Sequence, residues 1–332
     1  MQQGGGVGYD FSDLRPLGNR AAGAGNIASG PVSFMRIWDC MCDTLLSTGS
    51  RRGAMMGCLR CDHPDIEAFI DAKRRPGELT HFNLSVLVSD AFMRALADDG
   101  DWPLRFPPGP EGIVMRVLPA RMLWKRLLRA SYECAEPGVL FIDRINHSNN
   151  LAYCERISAT NPCGEIPLPA YGACDLGSLN LTRFVRDPFT PRVRLDLPAL
   201  ETVAAEAVRL LDDVIDVSGY PLPRQREQAL ASRRIGLGIT GLADALILLG
   251  LDYGSAAARE LAAGAMRAIC RAAYRASVAL ARDKGAFPRF RAGPYLQAPF
   301  VAALPAGIRR DIARWGMRNS HLLAIAPAGT IS

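Results

Sequence analysis

Short apolar runs alternate with segments of helical spacing along most of this sequence. That alternation restricts the chain to folds in which helices cover a mainly parallel sheet. Met55–Arg60 (MMGCLR) and Phe82–Val88 (FNLSVLV) have strand length and an apolar content typical of strands buried on both faces. Helical spacing is found at residues 34–46, 66–73, 89–96, 120–134, 197–217 and 256–284, the last two rich in Ala and Leu. Asp62 is placed to cap the 66–73 helix, with Pro64 in its first turn. Residues 139–145 and 322–326 read as further strands. In such an α/β architecture, open or closed into a barrel, sites form at the carboxyl ends of strands.

With 332 residues, 49% of them hydrophobic and 22% charged, the chain can bury a large core and is not disordered, collagenous or a coiled coil. No internal repeat or low-complexity linker divides it, so one large α/β unit is expected. The long apolar stretch at 235–251 is interrupted by glycines and Asp244, which points to a soluble protein without a membrane partner. Residues 1–9 lack the basic-then-apolar order of a secretory signal, making cytoplasm the expected compartment. A domain rarely opens on glycines as this one does, and the chain reads as an internal piece of a longer one. The net charge of +6 comes from scattered arginines, consistent with a solvated surface that binds some anions and not with a nucleic-acid partner.

Two motifs suggest cofactors that their context disfavours. Gly236-x-Gly238-x-x-Gly241 matches a dinucleotide fingerprint, but only a very short strand at 235–239 precedes the helical 242–249, and 224–234 is charged. Close helix-on-strand packing is the ordinary explanation. Cys40-x-Cys42 and Cys58-x-x-Cys61 have the count of a four-thiolate zinc site, yet each pair is spaced so that its side chains diverge. Buried structural thiols fit better, and His63, His81, His147 and His321 show no ligand spacing; no metal is expected. Nine cysteines, an odd number in a chain this long, suggest reduced thiols in general.

The segment Asn161-Pro162-Cys163-Gly164-Glu165-Ile166 puts an amide, a thiol and a carboxylate at alternate positions, and Pro162 and Gly164 keep it from being helical. In extended geometry all three face one side. A carboxylate beside a thiol disfavours the thiolate, so conventional nucleophilic catalysis is a poor fit. A neutral thiol can exchange a hydrogen atom, Glu165 can accept a hydroxyl proton, and Asn161 can hold a substrate by hydrogen bonds. An irregular loop with a buried cysteine is the plain alternative.

At this point the chain resembles a known family: Asn161-x-Cys163-x-Glu165 is similar to the finger-loop signature of the ribonucleotide reductase catalytic subunit. The likeness extends, in family order, through 6–18, Arg51-Arg52-Gly53-Ala54, Asp62-His63-Pro64-Asp65, 141–146, Tyr171-Gly172-Ala173-Cys174 with Leu176-Gly177-Ser178, 233–238 and Arg318-Asn319-Ser320. The form Asn-Pro-Cys-Gly-Glu-Ile-Pro-Leu-Pro resembles the adenosylcobalamin-dependent class; the iron-dependent class usually has Leu before the cysteine. The resemblance implies a ten-stranded α/β barrel of the ribonucleotide reductase and glycyl radical enzyme type, truncated at both ends. Residues 1–332 would be a single partial catalytic domain: an effector and specificity region at 1–60, the finger loop and redox cysteine at 155–180, and the substrate phosphate loop at 318–332.

By the same resemblance Cys163 is the thiyl site, generated with adenosylcobalamin by cobalt–carbon homolysis, and it takes the ribose 3′-hydrogen of a ribonucleotide, with diphosphates favoured. Glu165 removes the 3′-hydroxyl proton. Cys174 matches one of the two reducing cysteines, whose usual partner lies upstream of residue 1. Thr160 matches a substrate contact, and Pro327, Ala328, Gly329, Thr330, Ile331 and Ser332 match the loop that binds substrate phosphates through backbone N–H groups and hydroxyls. Arg15 matches an effector-phosphate contact, and Arg52 lies in a loop relaying the effector's identity to the substrate; solvated surface charge is the alternative for both. Met55 stands where relatives often have Asn. Deoxynucleotide and ATP effectors, a thioredoxin-like reductant and a homodimer of the full-length protein complete the implied partners. Competing readings are the iron-dependent large subunit and a nucleotide-binding fragment without turnover.

Overall fold

A computed structural model of the chain describes residues 5–19, 27–45 and 53–329. They gather into two compact units, Met1–His147 with Arg156–Ala170, and Ser148–Glu155 with Tyr171–Ser332. No helix among the described residues is long and apolar enough to cross a membrane.

The first unit runs β1 (Val7–Asp10), α1 (Pro31–Thr44), β2 (Met55–Arg60), α2 (Ile66–Ile70), β3 (Phe82–Val88), α3 (Asp90–Ala97), β4 (Asp101–Phe106), β5 (Ile113–Pro119), α4 (Ala120–Cys134), β6 (Gly138–Phe141), α5 (Ile142–His147), β7 (Ile157–Thr160) and β8 (Pro167–Pro169). Its centre is a parallel sheet in the order β1-β2-β3-β6. Strand alternation sends Met55, Leu59, Phe82, Leu84, Val86 and Val88 to one face, where Met35, Ile66, Phe69, Phe92, Leu123 and Leu127 of the helices complete the core. Met56, Cys58 and Leu87 point the other way and pack with Ile142 and Ile157. Burial pushes the Cys58 and Cys61 thiols up to about 12, which keeps them neutral. Cys40 is exposed and Cys42 buried, the divergence expected of a two-residue spacing on a helix.

The strands at Met55–Arg60 and Phe82–Val88 and the helix Ala120–Cys134 form where the spacing predicts. Ser89 caps α3 by accepting the Phe92 N–H at 3.1 Å. Other local expectations are corrected. Asp62 does not cap α2, because Arg60 donates two hydrogen bonds of 2.8 Å to its carboxylate; Asp65 stands at the N-cap, and the helix stops at Ile70 ahead of the turn into Pro76 and Gly77. The expected 139–145 strand ends at Phe141, and Ile142–His147 is helical. Asn146 fixes that change: its amide donates to Ile142 O (3.0 Å) and Ile157 O (2.9 Å) and accepts the Ile157 N–H (2.8 Å), tying α5 to β7. β4–β5 and β7–β8 are antiparallel ladders that the βα alternation did not reveal.

The second unit holds β9 (Asp175–Asn180), a 3₁₀ turn (Leu181–Phe184), β10 (Val185–Arg186), β11 (Arg194–Leu195), α6 (Leu197–Val217), α7 (Pro223–Ser232), β12 (Ile235–Thr240), α8 (Leu242–Leu248), α9 (Ala256–Lys284), α10 (Ala292–Gln297), α11 (Pro299–Ala302) and α12 (Ala306–Trp315). The two long helices begin and end where the spacing predicts, capped by Asp196 and Ser255. Leu200, Ala204, Val208, Leu211 and Ile215 form the buried stripe of α6 against Ile269, Ala272 and Ala273 of α9. β9 and β12 pair in parallel, while β10 and β11 form a short antiparallel ladder. The expected last strand, 322–326, is reduced to one parallel bridge, Leu237 to Leu323, with Ile235 and Leu237 donating to His321 O and Leu322 O and Ala324 donating to Leu237 O. Within neither unit do the described strands close into a ring.

Gly236 and Gly238 of the fingerprint belong to this contact. A Cβ on Gly238 would stand 2.2 Å from Ala324 O, and one on Gly236 would stand 2.4 Å from Leu176 Cδ2 and 2.9 Å from Ala324 Cβ. The close packing expected there is present, but the neighbour is an extended chain segment and not a helix. Beneath it the motif residues Arg233, Arg318 and Asn319 converge on Asp212, which is fully buried. Arg233 Nε (2.7 Å), Arg318 Nε (3.1 Å) and Asn319 Nδ2 (2.9 Å) all donate to its carboxylate, and Arg233 also grips Asp216 at 2.7 and 2.9 Å. Asp212, Asp213 and Asp216 lie close enough together to suggest a cation site. Instead these arginines, with Lys284 bound to Asp213, supply the positive charge.

Asp175 shares a face of β9 with Gly177, which lies against Leu211 of α6. Both its carboxylate oxygens are buried without a hydrogen-bond partner among the described residues. Burial foremost, with Asp212 adding, raises its pKa from the usual 3.8 to about 6, against the opposing pull of Arg233. The folded state therefore binds this proton more tightly than the unfolded one. The carboxylate penalises folding above pH about 6, and the penalty fades as pH falls through 6 toward 3.8. Asp175→Asn is expected to raise the midpoint of thermal unfolding at neutral pH, with the gain shrinking toward zero by about pH 4. Melting curves across that range check this, and a gain independent of pH contradicts it. Gly238→Ala is expected to cost about 1–3 kcal/mol by forcing the 322–326 segment away. Gly264→Ala, inside α9 and facing only the far end of Arg267, is expected to gain about 0.5–1 kcal/mol in the same urea titration.

Candidate active site

β7 and β8 pair antiparallel, Thr160 opposite Pro167, and so make the stem of a hairpin whose connection is residues 161–166. The stem rests on the face of the parallel sheet that carries Gly8, Met56 and Asn83 in one row. Its approach is so close that a Cβ on Gly8 would stand 1.8 Å from Thr160 O, and one on Gly6 would stand 2.5 Å from Pro162 Cδ. Only glycine admits the hairpin here, which gives Gly6 and Gly8 a structural reason. The neutral Cys58 thiol lies on the same face, in contact with the Thr160 backbone.

The loop itself is a tight turn. Gly164 N–H donates to Asn161 O at 3.1 Å, with Gly164 at φ +87°, and Ile166 N–H donates to Asn161 Oδ1 at 3.0 Å. The expected extended segment, with amide, thiol and carboxylate on one side, is corrected: the turn replaces simple alternation because the Asn161 side chain closes the loop across five residues. Asn161 thus spends its side-chain oxygen on the loop. Thr160 is buried, its hydroxyl donating to Asn161 O at 2.9 Å. Cys163 is exposed at the turn, whereas Pro162 and Ile166 on either side are buried. Glu165 is half-buried, and its Oε2 is shielded from solvent without a hydrogen-bond partner among the described residues. A reachable thiol and a desolvated carboxylate oxygen two residues away on a braced turn are suited to hydrogen-atom and proton transfer on one bound molecule.

One contact escaped the sequence reading. Asn83 Nδ2, from β3, donates to Pro162 O at 2.6 Å. Its signal was there: a lone amide in the strand FNLSVLV, at the one exposed position of an otherwise buried run.

In the second unit Cys174 precedes β9 and is half-buried, its Sγ directed to Asp175 O at 3.5 Å and 3.5 Å from where a Cβ on Gly236 would stand. Pro327, Ala328 and Gly329 are exposed and irregular, beyond the Leu237–Leu323 bridge. Arg15 is exposed in the loop after β1. Arg52, Thr330, Ile331 and Ser332 lie outside the described residues.

Residues 1–332 match the family described as the barrel domain of ribonucleotide reductase. The chain is 46% identical, over its whole length, to 45% of a vitamin B12-dependent ribonucleoside-diphosphate reductase of Mycobacterium tuberculosis. It is 38% identical to 40% of a protein of the same description from Thermoplasma acidophilum, and 29% identical over 98% of its length to 47% of the ribonucleoside-diphosphate reductase large subunit of vaccinia virus. The chain thus spans a little under half the length of these curated relatives. On the match over its full length, the chain belongs to the ribonucleotide reductase barrel-domain family.

Proposed function

We propose that this chain is the catalytic portion of a vitamin B12-dependent ribonucleotide reductase, acting on ribonucleoside diphosphates to make 2′-deoxyribonucleotides for DNA synthesis. The observation that carries the reading is the hairpin, with Cys163 reachable at its turn and, two residues away, Glu165 Oε2 desolvated and without a hydrogen-bond partner among the described residues. The 46% identity to a relative whose name specifies B12 and diphosphates favours this over the iron-dependent alternative, as does Pro162 before the cysteine. In this reading the parallel sheet and the β9–β12 pair are parts of a ten-stranded α/β barrel, and the two units are parts of one catalytic domain.

Adenosylcobalamin, when bound, supplies the one-electron oxidant that removes the hydrogen atom from Cys163. The fit is one of access, since a thiol buried like Cys58 could not be reached and Cys163 is exposed. The sulfur-centred radical then takes the 3′-hydrogen of the ribose, reforming the S–H bond and leaving the unpaired electron on C3′. Glu165 accepts the 3′-hydroxyl proton, and the 2′-hydroxyl leaves as water with one proton added. A pair of thiols, Cys174 and a partner upstream, supplies two electrons and two protons in all, the one carried off by the leaving water included, and ends as a disulfide for a thioredoxin-like protein to reduce. Glu165 then returns its proton to the 3′-oxygen and Cys163 its hydrogen atom to C3′, which restores the sulfur radical. The NH₂ of Asn161 and the Thr160 backbone orient the sugar, while residues 327–332 hold the phosphates. Arg15 and Arg52 serve the effector nucleotide, ATP or a deoxynucleotide, in a cytoplasmic homodimer.

In the cofactor-loaded enzyme, Cys163→Ser is expected to abolish deoxyribonucleotide formation while nucleotide binding, read by equilibrium dialysis, is retained. Glu165→Gln is expected to lower kcat by about 10²-fold or more with little change in KM. Turnover by Cys163→Ser at the parent rate contradicts the reading.

A further inference from the structure

The turn that carries Cys163 is held from within by Asn161 and from below by Gly6 and Gly8, but neither contact determines how the thiol leaves the backbone. That depends on the peptide plane between Pro162 and Cys163. The pyrrolidine ring fixes φ of Pro162 near its usual value, and the peptide bond is planar, so one torsion remains: ψ of Pro162, the rotation that swings its carbonyl. The carbonyl is the atom that Asn83 Nδ2 grips, at 2.6 Å, from a central strand of the parallel sheet. Asn83 stands on the hairpin-facing side of β3, in the row of Gly8 and Met56, while its neighbours Phe82 and Leu84 are locked into the core on the other face. The donor is therefore mounted on a rigid element.

We infer that Asn83 is a positioning residue for Cys163: by holding the Pro162 carbonyl it sets the plane of the Pro162–Cys163 peptide and hence the direction in which the reactive sulfur points. This rests on the proposed role of Cys163. Asn83 touches no reacting atom in this scheme; it fixes the peptide plane from which Cys163 departs and so reduces the approaches open to the thiol. Hydrogen-atom transfer is sensitive to such narrowing, because a misplacement of about 1 Å costs on the order of 10²-fold in rate. The core has no need of an amide at this position, since Asn83 is the one exposed residue of the strand. Asp is nearly isosteric with Asn but, when ionised, has no proton to donate and meets the carbonyl oxygen with a negative charge.

The test uses Asn83→Ala and Asn83→Asp in the cofactor-loaded enzyme, beside Cys163→Ser. Both Asn83 variants are expected to lower kcat by about 10²-fold while KM for the nucleotide is kept. Hydrogen exchange, which needs no turnover, is expected to speed up about tenfold at the Gly164 and Ile166 amides of the loop while the strands of the parallel sheet stay protected. The positioning role is overturned if kcat is unchanged in both variants while Cys163→Ser is inactive. Exchange that rises across the whole sheet equally overturns it, since that is the mark of a merely structural residue. Turnover by Cys163→Ser removes instead the reading on which the inference stands.

Discussion

Everything specific about this molecule depends on how closely a hairpin stem can lie on a sheet. Thr160 O sits where a Cβ of Gly8 would be, and the Pro162 ring where a Cβ of Gly6 would be. A side chain at either position would lift the hairpin and carry Asn161, Cys163 and Glu165 with it. The glycines lose more backbone entropy on folding than other residues do, a cost of roughly 0.5–1 kcal/mol each relative to Ala. That cost is offset by a floor rigid enough to fix a short turn. A loop tip is ordinarily mobile, and here the turn is pinned by the Asn161 side chain, by two buried flanking residues and by Asn83.

The second unit uses the same device for a different end. Gly236 and Gly238 let the 321–325 segment lie directly on β12, and that segment leads toward residues 327–329. Below it, Asp212 binds Arg233, Arg318 and Asn319. A buried pair of this kind adds little net stability over apolar packing, but losing one partner leaves an unpaired charge and costs about 3–5 kcal/mol. Its effect is to fix which segments meet. Motifs that look like a ligand fingerprint and scattered basic residues in the sequence are thus the fasteners that set the course of the chain before the exposed 327–329 stretch.

Much of this was legible in the sequence, and the failures have physical causes. Long helices with one apolar stripe, Leu197–Val217 and Ala256–Lys284, and fully apolar strands such as Met55–Arg60 form where periodicity places them. The short pieces misled. Residues 139–145 carry a strand's apolar content, but Asn146 bonds in three directions and turns the second half into a helix. Asp62 has the right type and place for a cap, yet a neighbouring Arg60 claims its carboxylate. Asn161, Cys163 and Glu165 stand out in the sequence as residue types, whereas their arrangement does not, because a side chain closing the loop converts extended alternation into a turn. Asn83 is separated from Pro162 by 79 positions, a partnership no local pattern reveals.

The central claim is that the Cys163 sulfur removes the hydrogen from C3′ of a ribonucleotide, and isotopic substitution at that carbon tests it most directly. With a 3′-deuterated ribonucleoside diphosphate, the cofactor-loaded enzyme should turn over more slowly than with the unlabelled substrate and should return the deuterium to C3′ of the product. Equal rates for the two substrates, together with cleavage of the C3′–H bond that persists in Cys163→Ser, would contradict the account.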